Sequence, residues 1–145
     1  LKRNIQLNSL RNVFPFQYAI SDKSGKDQLL VYPFETMCHS LVQRRCERST
    51  YFVEVETRKL DEVVAEFAID GVDWLKVDVE GSELKVLDGA KDTLRKTRRL
   101  VIEVDPNNSS QVMHRLYSER FEVVATDEKY VIAEHLKADN KEAVQ

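Results

Sequence analysis

The stretch Val72–Gly89 reads V-D-W-L-K-V-D-V-E-G-S-E-L-K-V-L-D-G, and the rest of the chain is organised around it. A short apolar run ends abruptly in Asp78, Glu80, Gly81 and Glu83. A helical pattern then starts at once, with Leu84, Leu87, Ala90 and Leu94 spaced for one buried face. The reading is a strand, a tight turn and a helix, with three carboxylates crowded at the joint. Ligands of open α/β sheets sit outside the carboxyl ends of the strands. The acidic joint is therefore where chemistry is expected.

Upstream, Tyr51–Glu56 alternates Phe52, Glu54 and Glu56 against Tyr51, Val53 and Val55, which predicts a half-buried strand. Its expected partner is Gln28–Tyr32, antiparallel to it and closed by Pro33. Thr57 is placed to cap a helix with Leu60, Val63, Val64, Phe67 and Ala68 on one face, and Gly71 to end it. Val13–Ile20 reads as another strand, with Pro15 near its start, and Ser21–Gly25 as turn chemistry. Phe34–Thr50 has no clean period and carries Arg44, Arg45 and Arg48 among Cys38, His39 and Cys46. It reads as a solvated loop, or else as a lid whose arginines hold an anionic substrate.

Downstream, the helix is expected over Ser82–Lys96, interrupted by Gly89 as a break or close packing point. Leu100–Val104 is the next strand, and Asn107–Ser110 offers caps for a helix bearing Val112, Met113, Leu116 and Tyr117. Phe121–Ala125 and Tyr130–Ala133 read as a hairpin around Thr126–Lys129. One domain spans 1–136, and Lys137–Gln145 is a polar tail. The strand–helix alternation predicts an α/β fold with a parallel sheet, inner strands covered on both faces, and an antiparallel hairpin at its edge. Trp74 is expected in the core; His39, His114 and His135 are read as surface or filler.

The totals bound the class. With 145 residues, 42% of them hydrophobic and 32% charged, the chain can bury a real core. A net charge of −3 gives no argument for general affinity to nucleic acid or anionic membrane. No run approaches the roughly 18–20 apolar residues of a membrane span. Cys38 and Cys46 fit no zinc or disulfide spacing and read as free thiols in a reducing compartment, so a cytoplasmic location is expected. Residue 1 is Leu rather than Met, so the chain is expected to be an incomplete translation product, and a leader could have preceded it. Leu1–Asn8 resembles the back end of an amphipathic helix.

Asp73-Trp74-Leu75-Lys76-Val77-Asp78-Val79-Glu80-Gly81-Ser82-Glu83, followed by Val86-Leu87-Asp88-Gly89-Ala90, resembles the signature of the FkbM-type methyltransferases. Val55–Val63, with its Leu60-Asp61 pair, Leu100–Val104 and Tyr18–Gly25 resemble neighbouring family segments. The resemblance implies a Rossmann-like class I methyltransferase sheet, mostly parallel with a C-terminal antiparallel hairpin, and S-adenosylmethionine as cofactor. This sequence departs from the family by lacking its Gly-rich loop and the acidic residue that holds the cofactor ribose. It is similar to the last two-thirds of such an enzyme, lacking the first two strands. The Trp74–Val79 strand would then have an open apolar edge. That edge is expected to be filled by another chain, by Val13–Ile20, or by an N-terminal piece. A homo-oligomer through this edge is one expected form.

The chemistry of methyl transfer asks mainly for alignment and for a base to take the acceptor proton. The resemblance places Asp78 beside the methionine part of the cofactor or the acceptor, with Glu80 two residues on, and these two are the expected catalytic carboxylates. Ala19, Ile20, Ser21 and Asp22 are expected at the adenine ring, and Glu83 and Glu103 at the substrate. A divalent cation on Asp78, Glu80, Glu103 and Asp105 is a weaker reading, because no Asn or His completes a set; no metal site is expected. The expected function is O-methylation of a small molecule such as a sugar, lipid or polyketide-type acceptor. The alternative is a non-catalytic, methyltransferase-like binding or assembly module that has lost the cofactor.

Overall fold

The computed structural model describes residues 1–31 and 51–136. The chain is mixed α/β with two sheets. The first comprises β1 (Ala19–Ile20), β2 (Gly25–Val31) and β3 (Tyr51–Arg58), in the order β1-β3-β2. β2 and β3 are antiparallel, as expected, with Gln28 opposite Glu54 and Val31 opposite Tyr51. The second comprises β4 (Val72–Val77), β5 (Thr97–Glu103), β6 (Phe121–Thr126) and β7 (Tyr130–His135), in the order β4-β5-β7-β6. β4 and β5 are parallel, while β7 runs antiparallel to β5 and to β6. Three strands of this sheet thus share one direction, and the opposing strand lies inside the sheet rather than at its edge.

Helices join these strands. α1 (Lys2–Leu7) precedes the first sheet, and α2 (Leu60–Glu66) connects β3 to β4. α3 (Glu83–Asp88) and α4 (Lys91–Arg95) connect β4 to β5, and α5 (Ser109–Ser118) connects β5 to β6. The core lies on one face of the second sheet. Val77, Leu100, Ile102, Phe121, Val131 and Ala133 meet Val86, Leu87, Leu94, Val112 and Leu116 there. Each large side chain taken from water in this layer contributes roughly 1.5–3 kcal/mol. The helical spacing of Leu87, Ala90 and Leu94 is what turns α3 and α4 onto the sheet; all three are fully buried.

Several boundaries differ from the sequence reading. Only Ala19–Ile20 of the expected Val13–Ile20 strand pairs, and it pairs parallel to β3. Pro15 removes a donor, and Val13, Phe14 and Phe16 remain exposed, with Phe16 stacked on Tyr18 and against Phe67. β3 runs two residues beyond the expected end. Thr57 is therefore a buried strand residue paired with both Ala19 and Gly25, not a helix cap. Tyr51, Phe52 and Val53 are exposed alike, so alternation begins only at Val55. α2 ends before Gly71: Phe67 caps it, and Ala68 adopts φ +50° while Ile69 N–H donates to the Val64 carbonyl.

β4 is the edge of its sheet among the described residues, and Val13–Ile20 does not fill it as one expectation held. Asp73, Trp74 and Lys76 are exposed there, so β4 is not covered on both faces. Charges on the strand blunt an edge of this kind. Trp74 is 54% exposed rather than core, and Arg99 stacks on its ring at 5.1 Å. Gly89 does break the long helix, as the sequence suggested. The expected loop or lid at 34–50, with its arginines, both cysteines and His39, and the polar tail at 137–145 lie outside the described residues.

Candidate functional site

The carboxyl ends of β4 and β5 are side by side because Val77 pairs with Ile102 in the parallel ladder. Asp78 follows the last residue of β4, and Glu103 is the last residue of β5. The strand ends at Val77, two residues before the expected Val79, and the chain then turns, with Glu80 at φ +51° and Gly81 at φ +97°. That left-handed turn nevertheless gathers the acids. One carboxylate oxygen from each of Asp78, Glu80 and Glu103 lies within 4.8 Å of the others. Asp78 is the exposed member, and Glu80 and Glu103 are half-buried.

Cations and a phenol frame this group. Lys76, two residues before Asp78 and so on the same side of β4, donates to its carboxylate at 2.9 Å. Hydrogen bonding to Asp78 and its charge push the Lys76 ammonium up from its usual value. Tyr130 stands opposite Glu103 in the β5–β7 ladder, and the Lys76 ammonium lies 5.9 Å from its ring centre. The Tyr130 hydroxyl is held above the usual phenol range, first by its hydrogen bond to Glu103 and then by that residue's charge. Lys129 comes within 3.8 Å of Glu103 from the hairpin turn. The arrangement can accept a proton or hold a cationic group, with fixed neighbours on each side.

Glu83 lies elsewhere in role. It is fully buried at the start of α3, and both its oxygens are engaged within the chain. One accepts from Gly81 N–H at 2.7 Å, and the other from the Asn108 side-chain amide at 3.0 Å. Asn108 was expected only as a cap; its side chain makes no cap hydrogen bond and donates also to the Gly81 carbonyl at 3.0 Å. The turn carrying Asn108 is itself pinned by Asp105, which accepts from Asn107 through both backbone and side chain.

The Ala19–Asp22 segment is separate from the carboxylate group in sequence and sits at the other end of α3. Ser21 N–H donates to the Arg58 carbonyl at 2.9 Å, continuing the alignment beside β3. Ser21 is fully buried and its hydroxyl donates to Asp22, which is exposed. The Ser21 backbone packs directly on Gly89, just past the end of α3.

Lys76 and Tyr130 were not singled out from the sequence, while Asn108 was read only as a cap and Asp61 only as part of the Leu-Asp pair. Lys76 was legible, since a lysine and an aspartate two apart on a strand share a side. Tyr130 and Asn108 act across long sequence separations, which local patterns do not encode. His114 is exposed, and His135 stands edge-on against Phe121, in keeping with surface and filler roles.

The chain is thus a mixed α/β protein with an acidic cluster at the ends of two neighbouring parallel strands. The chain belongs to the methyltransferase FkbM domain family, whose model matches residues 2–132. Over 51 residues it is 41% identical to the 2-O-methyltransferase NoeI of Sinorhizobium fredii, covering 35% of this chain and 21% of that protein. Over 48 residues it is 44% identical to the AMB antimetabolite synthetase AmbE of Pseudomonas aeruginosa, covering 32% of this chain and 2% of that one. The matched stretches therefore span far less than two thirds of either relative. No solved structure matches the chain. No helix among the described residues is long and apolar enough to cross a membrane.

Proposed function

We propose that this chain forms the later part of an S-adenosylmethionine-dependent O-methyltransferase acting on a small hydroxylated molecule of the sugar, lipid or polyketide type. The observation that carries this reading is the convergence of Asp78, Glu80 and Glu103 within 4.8 Å at the ends of β4 and β5. Membership of the family and the likeness to a 2-O-methyltransferase support it. The order β4-β5-β7-β6 supports a Rossmann-like sheet, whose first two strands would have no counterpart among the described residues. A second copy pairing on the exposed edge of β4 would fit the same reading.

The residues present fit parts of the cofactor by their chemistry. Asp22 exposes a carboxylate that can accept from an adenine amine, with Ala19, Ile20 and Ser21 shaping that turn. The carboxylate group at β4 and β5 attracts positive charge, as a sulfonium and an α-ammonium carry. When bound, S-adenosylmethionine supplies an already activated methyl group. The chain's task is then to place an acceptor hydroxyl and to take its proton. Asp78, the exposed carboxylate, would take the proton of the acceptor hydroxyl, and Glu80 would share this role from the turn. Glu103, fixed by Tyr130, orients the acceptor. Glu83 contributes to the acceptor side through the turn that it holds.

Calorimetric titration of S-adenosylhomocysteine into this chain, and into the full-length protein, tests the reading. Binding with a Kd on the order of micromolar is expected in the full-length protein. No binding in either would overturn it and leave a non-catalytic binding module.

A further inference from the structure

Glu80 has a left-handed backbone without being a glycine, next to a glycine that is also left-handed. Such a conformation persists only where surrounding contacts over-determine it. Here several of those contacts can be named. Gly81 N–H donates to Glu83, and the Gly81 carbonyl accepts from Asn108. Asn108 also donates to the second oxygen of Glu83. Both polar groups of the glycine that follows Glu80 are thus fixed by side chains, one from α3 and one from the start of α5. Ser82 N–H closes the turn on the Val79 carbonyl at 3.3 Å.

Asn108 belongs to the loop after β5, and Glu80 to the loop after β4. The Asn108 backbone N–H donates to the Asp105 carbonyl at 2.8 Å, so its side chain is presented from a tight turn. One amide group therefore ties together the two strand-end loops that carry Asp78 and Glu80 on one side and Glu103 on the other.

We infer that Asn108 is a positioning residue, which acts through Gly81 and Glu83 to hold Glu80 left-handed and its carboxylate beside Asp78 and Glu103. This rests on the reading of those three acids as the reaction site. Neither Asn108 nor Glu83 needs to touch a reactant. Their place is to fix the loop before any ligand arrives, so that no binding energy is spent in ordering it.

The test is nuclear magnetic resonance of isotopically labelled chain in three forms: wild type, Asn108→Asp and Val112→Ala. The Hα–Cα coupling and cross-correlated relaxation at Glu80 report the sign of φ. Asn108→Asp keeps the shape and removes both donors. Val112→Ala removes packing from α5 and leaves the turn untouched, so it controls for general loss of stability. The expected result is a positive φ at Glu80 in wild type and Val112→Ala, lost in Asn108→Asp. A positive φ retained in Asn108→Asp would overturn the inference. This outcome is independent of the calorimetry above: absent S-adenosylhomocysteine binding would remove the methyltransferase reading and leave the Glu80 result standing.

Discussion

A Cβ placed on Gly89 would lie 2.1 Å from the Ser21 carbonyl oxygen and 3.0 Å from its carbonyl carbon. Gly89 has an ordinary φ of −86°, so its lack of a side chain matters for the close approach and not for backbone freedom. The glycine of the V-L-D-G-A run is thus what lets the Ser21–Asp22 turn seat against the end of α3. Gly89→Ala is expected to displace that turn and to cost about 1–3 kcal/mol, the usual range for overpacking. Urea denaturation gives the cost, and amide shifts at Ser21 and Asp22 give the location. Unchanged shifts at both residues would show that the contact is slack.

Asp61, the second member of the Leu-Asp pair, caps a helix that is not its own. Its carboxylate accepts from Thr93 N–H and Thr93 Oγ1, each at 2.7 Å, and from Asp92 N–H at 3.1 Å. Its own N–H donates to the Gly89 carbonyl at 3.0 Å. The first donors of α4 are satisfied in this way from α2, and the two helices are fixed to each other. Asp61→Ala is expected to lower stability by about 2 kcal/mol, at the upper end for a lost cap. Asp61→Asn should recover part of it. A loss for Asp61→Ala within experimental error of zero would contradict the assignment.

The hairpin turn gives a pH signature. Asp127 accepts from the backbone N–H of Tyr130 at 2.7 Å and of Lys129 at 2.8 Å. These bonds, with that to Tyr130 first, hold its carboxyl below the ordinary aspartate range. A depressed folded-state value means that the stabilisation is present above the unfolded pKa of about 4 and fades as pH falls through the folded value. Asp127→Ala is therefore expected to destabilise the chain at neutral pH, and the gap between variant and wild type should narrow below about pH 4. Denaturation midpoints measured across that window check it. A gap that stays constant to low pH would contradict it.

What the sequence revealed and what it hid divide along range. Leu87, Ala90 and Leu94 announced a buried helical face, and Asp78, Glu80 and Glu103 announced an acidic strand end, because period and local composition carry both. The hairpin at Phe121–His135 was also legible, since its turn residues sit in one short run. The end of α2 was misplaced because Gly71 is the obvious stop, whereas the exposed Ala68 takes the left-handed position and Ile69 N–H closes the turn on the Val64 carbonyl. Thr57 read as a cap because Thr before a helical pattern is a common signal; pairing with Ala19 and Gly25 drew it into the sheet instead. Trp74 read as core because an inner strand was assumed, and its exposure follows from β4 lying at the edge. Asn108 and Asp61 could not be found locally, since their partners lie 25 or more residues away.

The most direct measurement of the central claim is turnover of the full-length protein with Asp78→Asn. The assay follows methyl transfer from radiolabelled S-adenosylmethionine to a hydroxylated small-molecule acceptor. Loss of the base is expected to lower kcat by roughly 100-fold or more, with S-adenosylhomocysteine affinity little changed. Asp78→Asn turning over at the wild-type rate would contradict the placement of the reaction at the ends of β4 and β5.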